Sequence, residues 1–159
     1  MPAGDGRRGR QPSRLQTWVI DANVTAKWFL SEADSDLAVA LLKGGDRLIA
    51  PSLIRTETIG AILRACRRDV MREEDAREAI ARWERVLDDE LVSIVPTDEL
   101  VAQAIDVALA LGHPLHDCLY VALAVSRKAR LVTADGPLHK RSAESMPVDL
   151  LSDRRVGRA

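Results

Sequence analysis

Aromatic residues are scarce in this chain: three tryptophans, one tyrosine and one phenylalanine make up 3% of 159 residues. That leaves little for the stacking platforms on which single-strand binders seat bases, so any nucleic acid must be held by other means. Cysteine is nearly absent too. Cys66 and Cys118 lie far apart, each inside an apolar helical pattern, which excludes a zinc knuckle or a redox pair and leaves two structural thiols. Neither sign of charge is in excess: charged residues are 30% of the chain and the net charge is -1, so a broadly basic coat is excluded while local patches remain open. No apolar run reaches the ~18 residues that span a bilayer, and the N-terminus has no apolar signal-type region. A cytoplasmic protein with no membrane partner is therefore expected.

Hydrophobic residues, mostly Ala, Leu, Val and Ile, make up 47% of the sequence. This length accommodates one domain with a sizeable core and leaves no room for a second. Residues 1–16 carry three glycines, two prolines and four arginines, the composition of a disordered basic arm. The arm reads either as an RNA-contacting tail or as an expression remnant ahead of the true start.

The rest is organised around Trp18-Val19-Ile20-Asp21, a buried strand that delivers an acid to its carboxyl end, where open parallel sheets bind ligands. Helices are expected over Val24–Leu30 and Ser35–Lys43, then a short strand over Arg47–Ala50. Ser52 is placed to cap a helix reaching about Arg68, and Arg72–Asp89 supplies another. A strand over Leu91–Val95 leads into a helix from Thr97 to Gly112. His113-Pro114 breaks the chain before a helix that starts near His116 or Asp117 and ends at Lys128. Strands over Leu131–Thr133 and Val148–Leu151 complete the pattern, separated by the turn Ala134-Asp135-Gly136-Pro137. Residues 152–159 read as a loose tail. Strands alternating with helices imply an α/β fold with a parallel sheet covered on both faces.

Four acids sit where an element's end would aim them at one crevice. Asp21 and Asp117 each stand at a helix start, which capping alone would explain, and Asp135 sits in a turn that favours Asp on its own account. Glu57 is more telling. Its helix is rich in arginine, yet its neighbours three and four residues away are Leu53, Ile54, Gly60 and Ala61, so no cation answers it. Asp117 has His113, Pro114, Tyr120 and Val121 at those spacings, again without a cation, and His113, His116 and His139 show no pairing that would suit histidine acid-base chemistry. Two carboxylates ~4 Å apart repel by roughly 4 kcal/mol at an effective dielectric of about 20, so several in one crevice call for protons or a cation. With no paired Cys or His ligands, an all-oxygen site for a hard ion such as Mg²⁺ or Mn²⁺ is the economical answer.

With those residues in place, the sequence from about Trp18 to Leu151 resembles the PIN-domain ribonucleases, most closely the VapC toxins of toxin-antitoxin pairs. The resemblance rests on Val19-Ile20-Asp21-Ala22-Asn23, on Ala50-Pro51-Ser52-Leu53-Ile54-Arg55-Thr56-Glu57, on His116-Asp117-Cys118-Leu119-Tyr120-Val121-Ala122-Leu123-Ala124, and on Leu131-Val132-Thr133-Ala134-Asp135. It implies a three-layer α/β/α fold with a central, mostly parallel sheet over residues 17–151. It also implies an acidic site of Asp21, Glu57, Asp117 and Asp135, with Asn23 and Thr133 as polar supports. The activity implied is Mg²⁺-dependent cleavage of RNA to 5′-phosphate and 3′-hydroxyl ends by a homodimer that a small antitoxin holds inactive. The basic arm departs from the family pattern, in which the first strand begins close to the initiator methionine.

Within that reading Asp21 and Asp117 are expected to bind the ion most directly, with Glu57 and Asp135 acting through waters or orienting the nucleophile. Asn23 would orient Asp21, and Thr133 a ligand carboxylate or the attacking water. His116 is a lesser candidate for touching substrate. Arg64, Arg67 and Arg68, with Arg127, Lys128, Arg130, Lys140 and Arg141 late in the chain, are candidate phosphate contacts. The rival reading is a catalytically silent PIN-like module that only binds RNA or protein. A phosphoacceptor receiver fails because Val95-Pro96-Thr97 offers no acceptor acid after the third strand. A haloacid-dehalogenase-type phosphatase needs a second Asp at position 23, which is Asn.

Overall fold

The computed structural model describes residues 14–142 and 144–154. Of the basic arm expected over 1–16 and the tail expected over 152–159, residues 1–13 and 155–159 lie outside the described residues. The fold is a three-layer α/β/α sandwich around five strands, β1 (Thr17–Ile20), β2 (Arg47–Pro51), β3 (Ser93–Val95), β4 (Arg130–Thr133) and β5 (Val148–Leu150). All the pairings are parallel, in the order β3-β2-β1-β4-β5. The expected "mostly parallel" sheet is thus parallel throughout its described length. Val19 in β1 pairs with Ile49 on one side and Leu131 on the other.

This order has one consequence for function. The chain builds outward from β1 to β2 and β3, then returns to β1's other side to lay down β4 and β5. The connections therefore diverge between β1 and β4, which opens a crevice beyond the carboxyl ends of those two strands. Asp21 follows β1 directly, and Asp135 lies two residues past β4.

The strands of the centre are buried on both faces, so they read as unbroken apolar runs without alternation. Val19, Ile20, Leu131 and Val132 are fully buried. Helix α6 (Leu115–Ser126) lies across β1, β2 and β4 and is buried from Cys118 through Ala124, as a helix that is apolar all round must be. Among the described residues no single helix is long and apolar enough to cross a membrane. Helix α3 (Ile54–Arg67) packs on α4 (Glu73–Asp88) through Ile62, Ala76 and Ala79, and the fully buried Trp83 of α4 donates its indole N–H to the Arg55 carbonyl at 3.2 Å. The other two tryptophans are similarly committed, Trp18 to Asp46 at 3.0 Å and Trp28 to the Ala38 carbonyl at 2.7 Å. The three tryptophans serve packing.

Several boundaries differ from the sequence reading for identifiable reasons. The first helix, α1 (Ala22–Thr25), starts directly after Asp21 and tightens into a 3-10 turn over Ala26–Trp28. Ser52 does not cap α3. Its hydroxyl accepts from the Thr97 N–H at 3.0 Å, while the Thr97 hydroxyl accepts from the Leu53 N–H at 3.1 Å, a reciprocal tie between the ends of β2 and β3. The helix expected from Thr97 begins as a 3-10 turn and becomes α5 (Val101–Leu111), which ends at Gly112 with φ +58°, a conformation glycine adopts without strain. Helix α7 (Gly136–Ser142) was hidden behind its turn signals: Leu138 and Ser142 are its only buried residues, too few for a periodic stripe. At the C-terminal end, Leu151–Asp153 form a 3-10 turn past β5, and the Arg154 guanidinium stacks 4.3 Å above the Trp18 ring. Helix α2 (Ser35–Lys43) is as expected.

Truncating Leu131, fully buried in β4, should cost about 2–5 kcal/mol of stability. Truncating the exposed Leu63 of α3 should stay within about 0.5 kcal/mol. Urea unfolding of Leu131→Ala and Leu63→Ala checks the contrast.

Candidate active site

Asp21 occupies the N-cap position of α1, with extended backbone (φ -80°, ψ 151°), and its carbonyl accepts from the Val24 and Thr25 N–H groups. Its carboxylate makes no capping bond. Oδ2 instead accepts from the Thr133 hydroxyl at 2.7 Å and the Asn23 amide at 3.2 Å. Asn23 also donates to the Thr133 hydroxyl oxygen at 3.2 Å and accepts from the Ala134 N–H at 2.9 Å, while the Asp135 N–H donates to that same hydroxyl oxygen at 3.0 Å. Thr133 is thereby fully engaged in orienting Asp21 and its own turn. Both side-chain hydrogen bonds to Asp21 fall on Oδ2.

Glu57 reaches the crevice from α3. The position of that helix is fixed against α1 by a buried hydrogen bond between the Thr25 and Thr58 hydroxyls, 2.7 Å apart. Glu57 Oε2 accepts from the Tyr120 hydroxyl at 2.7 Å. Asp117 lies in the first turn of α6, and its carboxylate is flanked by two imidazoles, His113 Nε2 at 3.0 Å from Oδ2 and His116 Nε2 at 3.3 Å from Oδ1. Asp21, Glu57 and Asp117, with Asn23, Arg64 and His116, line one cleft of about 250 Å³. Asp135 joins from the far side. One oxygen caps α7 by accepting from the Leu138 N–H at 2.9 Å, and the other lies 3.6 Å from His113 Nε2. Ligand-type atoms of His113, Asp117 and Asp135 all lie within 4.8 Å of one another.

Crowding shows in the electrostatics. Asp21, only 4% exposed, has its carboxyl pushed up to about 7, chiefly by burial and further by the charges of Asp117 and Glu57, against the pull of the Thr133 hydroxyl and Asn23. Glu57 is also raised, first by burial, with the Tyr120 hydrogen bond opposing. Tyr120 is fully buried beside both carboxylates, and burial drives its phenol far above its ordinary value, so it stays a donor. Burial likewise pushes the Cys118 thiol up to about 11, which keeps it protonated and inert.

A carboxylate-rich cleft whose most buried member resists ionisation is a set of oxygen donors in want of positive charge, and a divalent cation matches that chemistry. Asp117 and Asp135 bring carboxylate oxygens within 4.8 Å of one another, and Asp21 and Glu57 line the cleft that Asp117 shares with them. His113 stands among the acids, with Nε2 turned toward Asp117 and Asp135. His113 and Tyr120 were both missed as site residues. His113 sits four residues before Asp117, the spacing of a helical pair, but a residue ahead of the helix break gave no sign of turning inward. Tyr120 lay inside an apolar run and read as core.

The candidate cations divide. Arg64 lines the acidic cleft, and Arg68 lines an adjoining one of about 280 Å³ with Lys27. Arg127 instead lines a cleft with Thr17 and Arg47 at the amino end of the strands, and Arg130 begins β4 and pairs with Asp149. Arg141 holds the Gly112 carbonyl. Strand direction places Arg127 and Arg130 away from the acids.

Comparison with known proteins agrees with this architecture. The PIN domain family model matches residues 18–143. Ribonuclease VapC9 of Mycobacterium tuberculosis is 26% identical over 133 residues, 84% of this chain and 97% of that protein. PAE2754 from Pyrobaculum aerophilum superposes with a TM-score of 0.63 at 20% identity, covering 89% of this chain and 93% of its own. A toxin-antitoxin complex from Klebsiella pneumoniae gives 0.56 at 16% identity, covering 84% and 96%.

Asp21 makes the metal-free protein pH-sensitive. Its folded value of about 7 exceeds the ordinary 3.8, so the native state binds more protons than the unfolded state between those values. Stability should fall as pH rises through that window, by up to roughly 4 kcal/mol. Thermal melts in EDTA should show a decline from pH 5 to pH 8 that Asp21→Asn reduces to the smaller share contributed by Glu57. A flat profile in the parent protein would contradict the buried, crowded carboxylate.

Proposed function

Because the chain belongs to the PIN-domain family, we propose that it is a metal-dependent endoribonuclease acting in the cytoplasm as the toxin of a toxin-antitoxin pair. The observation that carries the reading is the gathering of Asp21, Glu57 and Asp117 around one cleft at the carboxyl ends of β1 and β4. The ribonuclease relatives and the neighbour solved as a toxin-antitoxin complex support the substrate class and the small antitoxin partner. On this reading residues 17–151 form the catalytic domain.

Asp21 and Asp117 would hold Mg²⁺, or Mn²⁺ in its place, with Glu57 and Asp135 bound through waters. A divalent ion held there lowers the pKa of a bound water and neutralises charge on the phosphoryl oxygens. Thr133 and Asn23 keep Asp21 Oδ2 in a fixed orientation, so that Oδ1 faces its task without searching rotamers. Glu57, its Oε2 occupied by Tyr120, offers Oε1 to orient the attacking water and accept its proton. Attack on phosphorus with rupture of the P–O3′ bond leaves a 5′-phosphate and a 3′-hydroxyl.

The same helix carries the complement to the acids. Glu57, Ala61, Arg64 and Arg68 recur at spacings of four, three and four, so they share one face of α3 and its C-terminal cap. The small Ala61 lets a strand approach between carboxylate and guanidinium, and Arg64 and Arg68 take phosphates flanking the scissile one. For the homodimer, α5 presents Val101, Ile105 and Leu109, exposed and four residues apart on one face, with Leu109 80% exposed. A second copy of the same face is the occupant we assign to it.

Asp21→Asn should fold normally and lose cleavage of RNA by at least about a thousandfold, and EDTA should silence the parent protein. Mapping of ends across total RNA should find 5′-phosphates with the parent and none with the variant; undiminished cleavage by Asp21→Asn would end the proposal. Light scattering should report a dimer for the parent and a monomer for the double variant Ile105→Glu, Leu109→Glu.

A further inference from the structure

The joint between α5 and α6 is three residues long, and its middle one turns inward. Gly112 adopts φ +58° to end α5, and its carbonyl is gripped by the Arg141 guanidinium of α7. His113 follows, its side chain only 7% exposed, with Nε2 3.0 Å from Asp117 Oδ2 and 3.6 Å from Asp135 Oδ2. Its Nδ1 is buried and has no hydrogen-bond partner among the described residues.

These positions decide the tautomer. A neutral imidazole carries one N–H. Placed on Nδ1, it would be a buried donor without an acceptor; placed on Nε2, it faces two carboxylate oxygens. Nε2 therefore bears the hydrogen, donating to Asp117 and leaning toward Asp135, where the longer distance makes the attraction electrostatic. Asp135 has spent Oδ1 on the Leu138 N–H, so Oδ2 is the oxygen it has to offer. Asp117 and Asp135 belong to different elements, and their like charges repel. His113 supplies the missing attraction, and a closed circuit of contacts holds it there: Asp135 caps α7, Arg141 of α7 clamps Gly112, and the next residue reaches back to Asp135.

We propose that His113 is a positioning residue: its Nε2–H sets the separation of Asp117 and Asp135 and so prepares this pair of carboxylates to take up the divalent ion. The inference rests on the metal-dependent reading above and adds to it a group outside the four acids. His116, 59% exposed beside the other oxygen of Asp117, lacks the second carboxylate and cannot do the same work.

Two substitutions separate this role from simple packing. His113→Gln keeps a donor at about the place of Nε2, whereas His113→Leu keeps the volume and removes the donor. Mn²⁺ binding is titrated by the electron-paramagnetic-resonance signal of the free ion, with metal-free thermal melts as the folding control. We expect His113→Leu to bind Mn²⁺ about 10–100-fold more weakly than the parent protein, the range seen when a ligand loses its orienting partner. His113→Gln should remain within about threefold of the parent, and kcat for RNA cleavage should follow the same order with KM little changed. If the leucine variant does not fold, His113→Asn takes its place, since its shorter amide stops short of Asp135, and the same weakening is expected. Parent-like binding by the donor-less variant, or equal weakening in a folded His113→Gln, would overturn the proposal. A parent protein that binds no Mn²⁺ at all would bring down the metal-dependent reading itself, a failure seen without any variant.

Discussion

Like charges held together at the edge of a hydrophobic core are the constraint on which the rest of this structure turns. Asp21 stands at the end of the central strand, 4% exposed, with Glu57 and Asp117 close enough to push its carboxyl up further. A folded chain does not assemble such a group for stability, because burial and repulsion both oppose it. The arrangement makes physical sense when a cation completes it. The parallel sheet then has a clear part to play: the connections that leave β1 and β4 run to opposite sides, and the acid-bearing segments meet where that divergence leaves a crevice.

Around that crevice the protein has fixed each carboxylate by a different neighbour. Thr133 and Asn23 hold Asp21, Tyr120 holds Glu57, His113 holds Asp117, and the N-terminus of α7 holds one oxygen of Asp135. Every one of these partners is a donor, so the acids are restrained while keeping oxygens available. The donors include groups on elements locked into the core, Tyr120 from the buried stretch of α6 and Thr133 from the end of β4. Rigid elements therefore transmit the precision of core packing to the site.

Much of this was legible in the chain. Asp21 announced itself by following three apolar residues, and Glu57 by lacking a cation in an arginine-rich helix, because strand ends and helix faces leave local, periodic traces. The supports were less visible. Tyr120 looks like core since its ring is core and only its hydroxyl is functional, and His113 precedes the helix it serves. Helix α7 buries too little to leave a pattern. Arg127 and Arg130 were misplaced for another reason: composition records a cation, but only strand direction tells which end of the sheet it occupies. The reading of the acids also passed over an imidazole that tertiary structure carries among them.

A chain of the PIN-domain family with this geometry should bind its ion where the end of β1 faces the first turn of α6. The most direct measurement is anomalous diffraction at the manganese edge from crystals of the protein soaked in Mn²⁺. The account predicts a peak in the cleft shared by Asp21 and Asp117, within coordination distance of a carboxylate oxygen of each. A map with no peak in that cleft, or with the ion bound at some other part of the molecule, would contradict it.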